Sequence, residues 1–125
     1  MDDFKLEGTA DTPSIHFSHS AGTMKISGRS LPEDAFSFYQ PVIEWLTKYA
    51  SSPAGQTDFT FDLEYFNTAS AKQLFKLMSI VSELAKKHNT TVSWHYDKGD
   101  RDMKSSGERF SKLCELPVTL VENAQ

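Results

Sequence analysis

Phe59-Thr60-Phe61-Asp62-Leu63-Glu64-Tyr65-Phe66-Asn67-Thr68-Ala69-Ser70 runs from a strand straight into a helix start. Apolar side chains at Phe59, Phe61, Leu63 and Tyr65 recur at every second residue, the period of a strand with one buried face. Asn67, Thr68 and Ser70 then offer three helix-capping side chains in succession, and Ala71 to Lys87 follow as a helical run. Leu74, Leu77, Met78, Val81 and Leu84 form its apolar stripe, at three- and four-residue spacing. Lys72, Lys76, Lys86 and Lys87 fall mainly on the other side, as a solvated face does. A hydroxyl at the mouth of a helix lies where backbone N–H groups point outward without partners. It can cap the helix, and the same place suits a phosphate. Thr68 therefore has two readings, cap or phosphorylation site, with Ser70 as the competing acceptor.

The flanking sequence supplies the rest of an alternating α/β pattern. Phe4 to Glu7 reads as a short strand. Residues 12–18 and 23–28, joined by the turn Ser20-Ala21-Gly22, read as a hairpin. Gly28-Arg29-Ser30 reads as a loop, from which Arg29 can reach an anionic group at the sheet end. Ser30 and Glu33 have capping-box spacing and Pro32 suits a first helical turn, which predicts a helix carrying Phe38, Tyr39, Val42, Trp45, Leu46 and Tyr49. Pro41 predicts a kink or a division of that helix. Thr91 to Tyr96 reads as a strand, Asp97 to Ser106 as a polar loop, Gly107 to Cys114 as a short helix and Pro117 to Val121 as a last strand. The fold class is α/β: one domain over residues 1–125, a mixed sheet of about five strands opened by the hairpin, two long helices and one short one. Sites in open sheets of this kind gather at the carboxyl ends of strands, and the Asn67-Thr68 junction is such an end.

Composition narrows the function. Hydrophobic content of 38%, with nine Phe, supports a packed core rather than disorder. A net charge of −4 gives no basic footprint, so nucleic acid is not an expected partner. The single cysteine, Cys114, excludes an intrachain disulfide and reads as a small core residue between Leu113 and Leu116. The acidic start Met1-Asp2-Asp3-Phe4 has no apolar signal core, and no run approaches the roughly 20 apolar residues that span a bilayer. A cytoplasmic protein without membrane insertion is the expectation. His16, His19, His88 and His95 lack metal-ligand spacing, and Asp97, Asp100 and Asp102 lack the glycine and glutamate of a calcium loop, so no metal is expected. No nucleophile–base pair, phosphate-binding glycine loop or dinucleotide fingerprint is present, so neither an enzyme nor a cofactor is expected.

Thr12-Pro13-Ser14-Ile15, Gly28-Arg29-Ser30-Leu31-Pro32-Glu33, Phe38-Tyr39-Gln40-Pro41-Val42-Ile43-Glu44-Trp45-Leu46 and Glu64-Tyr65-Phe66-Asn67-Thr68-Ala69-Ser70 together resemble the SiaC family of bacterial regulatory phosphoproteins. Trp94-His95-Tyr96 and the stretch from Asp102-Met103 to Gly107-Glu108 fit the same pattern, and the resemblance covers nearly the whole chain. It implies a STAS-like fold, similar to the anti-sigma-factor antagonists that carry a hydroxyl residue at a strand-to-helix junction. It also implies phosphorylation by a histidine-kinase-like threonine kinase and removal of the phosphate by a PP2C-type phosphatase. The acceptor in the family's Asn-Thr-Ala-Ser motif corresponds to Thr68. The unphosphorylated form would bind and activate a diguanylate cyclase, raising cyclic di-GMP and favouring biofilm and aggregate formation. No motif assigns the residues that contact the cyclase. Arg29, Tyr65, Phe66, Asn67 and Lys72 are candidates by their place at the same corner. A small-ligand sensor with its ligand at the strand ends, and an adaptor in which Thr68 is only a cap, remain as alternatives.

Overall fold

The strands stand side by side in the order in which the chain makes them. The computed structural model describes residues 1–124. β1 (Phe4–Leu6), β2 (Ser14–Ser18), β3 (Thr23–Ser30), β4 (Thr57–Phe66), β5 (Thr90–Asp97) and β6 (Thr119–Asn123) form one sheet in the sequence β1-β2-β3-β4-β5-β6. The first two pairings are antiparallel and the remaining three parallel. Each parallel step is bridged by a helix: α1 (Ala35–Ser51), α2 (Thr68–Ala85) and α3 (Arg101–Leu113). Right-handed crossovers that all step the same way lay their helices on the same face of the sheet.

Burial follows that arrangement. Ile15, Phe17, Ile26, Phe59, Phe61 and Trp94 point into one core with Tyr39, Leu46, Leu74, Leu77 and Val81 of the helices. The residues between them on the strands, such as Lys25, Asp58, Thr60 and His95, lie on the other, more polar face. Hydrogen bonds knit that face together: Thr91 Oγ1 donates to Asp58 at 2.6 Å, and Asn123 Nδ2 donates to Asp62 at 3.1 Å and Asp97 at 3.0 Å. A two-layer molecule results, apolar between its layers and polar on the open side of the sheet.

Four expectations are corrected. The sheet has six strands rather than about five, because the three residues of β1 pair with β2, Phe4 opposite Phe17. Ser30 does not cap α1: β3 continues through Arg29 and Ser30, and Asp34 is the cap, accepting from Ser37 N at 3.1 Å. Of the kink or division expected at Pro41, division is corrected: α1 is continuous from Ala35 to Ser51. Pro41 and Ser37, whose carbonyl loses its partner, are both exposed, and water can take the place of the missing N–H.

The fourth correction concerns α3. The stretch expected as a polar loop supplies its first turns, from Arg101, with the Asp100 carboxylate accepting from Met103 N at 3.0 Å. Gly107 consequently lies within the helix. A Cβ there would stand 2.5 Å from Trp94 Cδ1, so the glycine is the space into which the indole packs. Trp94 Nε1 donates to the Met103 carbonyl at 2.9 Å and fixes the same contact.

Candidate functional site

The corner between β4 and α2 is set by a register shift. β3 and β4 pair as Gly28 with Leu63, then as Arg29 with Tyr65, so Glu64 is an extra residue in β4. The bulge reverses the alternation beyond it. Tyr65, expected on the buried face with Phe59, Phe61 and Leu63, is instead 50% exposed. Phe66 turns inward, its ring centroid 6.3 Å from Trp94 and 6.0 Å from Phe110. Arg29, expected in a loop, lies on the strand with its guanidinium carbon 5.9 Å from the centre of the Tyr65 ring.

With Phe66 pointing inward, Asn67 follows as the helix cap. Its side-chain oxygen accepts from Ser70 N at 2.8 Å, and its own N–H donates to the Ser30 carbonyl at 3.1 Å. Thr68 is thus the first helical residue, exposed and relieved of the capping role. Ser70 is buried. Ser30 Oγ donates to Ser70 Oγ at 2.8 Å, and Ser70 Oγ donates to the Ser30 carbonyl at 3.0 Å. Ser30 has then used its one proton, so the Tyr39 hydroxyl, 2.6 Å away, is the donor to Ser30 Oγ. Burial pushes the Tyr39 hydroxyl up to about 12, against the opposing effect of its bond to Ser30. The Ser30–Tyr39–Ser70 cluster thereby joins the end of β3 to α1 and to the first turn of α2. Of the two hydroxyls expected as acceptors, Thr68 is exposed and Ser70 is buried.

Beside Thr68 a groove of about 600 Å³ runs between α2 and α3. Phe66, Ala71, Phe75, Phe110 and Leu113 give it apolar walls, and Lys72, Lys76 and Arg109 surround them. Phe75 and Leu113 are 40% and 61% exposed. Of the expected corner residues, Phe66, Thr68 and Lys72 line this groove. Arg29 and Tyr65 stack on each other farther along the strand ends, and Tyr65 lines a neighbouring cleft.

The model of the SiaC family regulatory phosphoprotein matches residues 6–123. The chain belongs to this family. An uncharacterised protein of Pseudomonas aeruginosa strain UCBPP-PA14 is 28% identical over 122 residues, covering 96% of each chain. SiaC of Pseudomonas aeruginosa superimposes with a TM-score of 0.88 at 25% identity, over 98% of this chain and 100% of that one. A chain in the crystal structure of the diguanylate cyclase SiaD in complex with its activator SiaC from Pseudomonas aeruginosa gives a TM-score of 0.90 at 24% identity, over 97% and 100% of the two chains.

Within this SiaC-family fold three of the candidate histidines face polar partners. His16 faces Asp3 at 3.5 Å, His19 Nε2 lies 2.9 Å from the Ser52 carbonyl, and His95 Nδ1 lies 3.0 Å from Asn123 Oδ1. Among the described residues no three His, Cys, Asp or Glu side chains are grouped to hold a metal ion. Burial pushes the Cys114 thiol up, which suits a core residue rather than a nucleophile. Among the described residues no helix is long and apolar enough to cross a membrane. Sequence reasoning missed Phe75, Arg109 and Leu113. Phe75 carried the available signal, a large aromatic placed off the apolar stripe of α2.

Proposed function

We propose that this chain is a non-enzymatic regulator in a threonine-phosphorylation partner switch. Unphosphorylated, it binds and activates a diguanylate cyclase, raising cyclic di-GMP and favouring biofilm and aggregate formation. A histidine-kinase-like threonine kinase turns it off by phosphorylating Thr68, and a PP2C-type phosphatase restores it. Membership of a regulatory phosphoprotein family and the likeness to SiaC, an activator of the diguanylate cyclase SiaD, support this reading. One observation carries it at the residue level. The exposed Thr68 hydroxyl stands in the first turn of α2, free of the cap, at the wall of an exposed apolar groove.

A phosphate on Thr68 gains from the helix dipole and the outward N–H groups, so it need not disturb the fold. It adds nearly two negative charges and three strongly hydrated oxygens to the wall of the groove, and a docked partner must strip that water away. A coupling of about 3 kcal/mol already lowers affinity more than a hundredfold. The cyclase is expected to contact the groove-lining Phe66 and Lys72, and Arg29 and Tyr65 at the rim. Asn67 acts through the cap it supplies.

Phosphosite mapping of protein from its native host, with pull-downs of the cyclase, tests the reading. Phosphate is expected on Thr68, with the cyclase retained by Thr68→Ala and weakened by Thr68→Asp or by phosphorylation. Thr68→Ala is also expected to be blind to the kinase. Equal capture of the cyclase by the phosphorylated and unphosphorylated proteins would reduce Thr68 to a structural residue.

A further inference from the structure

Charge is sorted on the open face of the sheet. The register carries one row across all the strands: Lys5 opposite His16, His16 opposite Lys25, Lys25 opposite Thr60, Thr60 opposite Ser93 and Ser93 opposite Thr119. Residues opposite one another share a face, so this row marks the side away from the helices. Lys5 on β1 and Lys25 on β3 are its cations, and Arg29 joins them at the end of β3, pointing outward because Ser30 points in. At the β1 edge Asp3 faces His16 at 3.5 Å. The carboxylates Asp58, Asp62 and Asp97 stand on β4 and β5. Neutral donors hold all three: Asp58 accepts from Thr91 Oγ1 at 2.6 Å and Gln56 Nε2 at 3.1 Å, and Asn123 Nδ2 donates to Asp62 at 3.1 Å and Asp97 at 3.0 Å. These bonds fix the carboxylates in place without neutralising them. Among the described residues no ion pair joins the cationic strands to the acidic ones.

We propose that this face pairs two copies of the chain, sheet against sheet, about a two-fold axis that runs along the strands between β3 and β4. Such an axis carries β3 of one copy over β4 of the other and β2 over β5, so each cationic half meets an acidic half. An axis across the strands would set like charge over like. Lys25 is opposite Thr60 within one chain, so in the pair it falls between the levels of Asp58 and Asp62 of the other copy. The short side chains of Ser27, Thr60 and Ser93 lie between the charged positions and let the sheets approach. The parallel strands supply a second reason. Parallel sheets are as a rule covered on both faces, and β3 to β6 are covered by helices on one.

The size of the face sets the strength of the pair. Strand spacing and rise give a sheet of this size a face on the order of 500 Å². A standard stable interface buries roughly 800 Å² per partner. Association through a smaller, charged face is weak, reversible and salt-sensitive. The helices lie on the outer sides of the pair, so both Thr68 hydroxyls and both α2–α3 grooves stay accessible. The pairing therefore stands apart from the reading of the chain as a cyclase activator, and its failure leaves that reading untouched.

Sedimentation velocity of the full chain, over a concentration series reaching the millimolar range at low and at high salt, makes the test. Wild type is expected to show a reversible monomer–dimer equilibrium at low salt that shifts to monomer as salt rises. Lys25→Glu and Asp58→Lys are each expected to weaken self-association about tenfold or more, because each sets like charges against one another at both contacts of the pair. An equimolar mixture of the two variants is expected to regain it, since the mixed pair has opposite charges at both contacts. Both side chains are exposed, and unchanged thermal melts establish that the variants fold. Lys25→Glu removes no ion pair and carries the comparison if Asp58→Lys melts early. A wild type that stays monomeric at low salt throughout the series overturns the proposal and leaves the face to solvent or to a different partner. Equal association of wild type and Lys25→Glu also overturns it, by placing the contact elsewhere. A mixture that associates no better than either variant alone overturns the two-fold arrangement.

Discussion

The hydroxyl of Tyr39 shows how much of the corner rests on one buried proton. Its bond to Ser30 ties α1 to the end of β3, and Ser30 passes the tie on to Ser70 in α2. The folded-state value is raised from 10.0 to about 12. Below pH 10 the tyrosine is protonated in both states, and its contribution to stability is fully present. Above pH 10 the unfolded chain releases the proton first, so stability falls until the folded hydroxyl titrates near 12. Tyr39→Phe removes the bond and is expected to cost about 1 kcal/mol near neutral pH. The same variant is expected to lose less stability than wild type between pH 10 and 12. Urea midpoints measured across that range check the sign, and parallel declines of the two proteins would remove Tyr39 as the source. The cluster itself was not legible in the sequence. Ser30 showed a capping-box spacing, and the register that buries it opposite Phe66 depends on β4, far along the chain.

At the scale of elements, the start of α2 separates the capping residue, Asn67, from the exposed hydroxyl of Thr68. The sequence offered Asn67, Thr68 and Ser70 as equal candidates, and its alternating phenylalanines placed the strand correctly. The extra residue at Glu64 shifts the phase, turns Phe66 inward and leaves Asn67 at the position whose side chain reaches back to the helix N–H groups. A bulge has no reliable signature in side-chain alternation, so the choice among the three was hidden. Asn67→Ala is expected to lower stability by about 1 kcal/mol, as loss of a cap does. Thr68→Ala, at an exposed first-turn position, is expected to change it by no more than about 0.5 kcal/mol. Denaturant unfolding of the two variants checks the order, and a reversed order would make Thr68 the structural residue. α3 was misread for a related reason. Its first turns are almost wholly polar and its glycine resembled a start, because one buried side, formed by Met103, Gly107 and Phe110, suffices to hold it against Trp94.

Across the whole molecule, alternation of strands and helices was legible because each strand announces itself by period and each helix by its stripe. Their sequential order in the sheet is the simplest topology consistent with short right-handed crossovers. That order leaves one face of the sheet polar and collects the three helices on the other, where the exposed groove lies. The placement also decides how a phosphate acts on the protein. At Thr68 it would take the net charge from −4 to about −6, on a chain that is already acidic. Were the site within the core or at a helix C-terminus, that charge would oppose folding. At the exposed first turn of α2 the dipole favours it by about 0.3–1 kcal/mol at low salt, which offsets the added self-repulsion of the molecule. The phosphorylated protein is therefore expected to melt within a few degrees of the unphosphorylated one while losing its partner. Calorimetry of the two forms, beside a binding titration of each, makes the measurement. A large fall in melting temperature would mean that the switch works by loosening the α2 corner. Equal melting with lost binding places its action at the docking surface, as repulsion on a rigid scaffold.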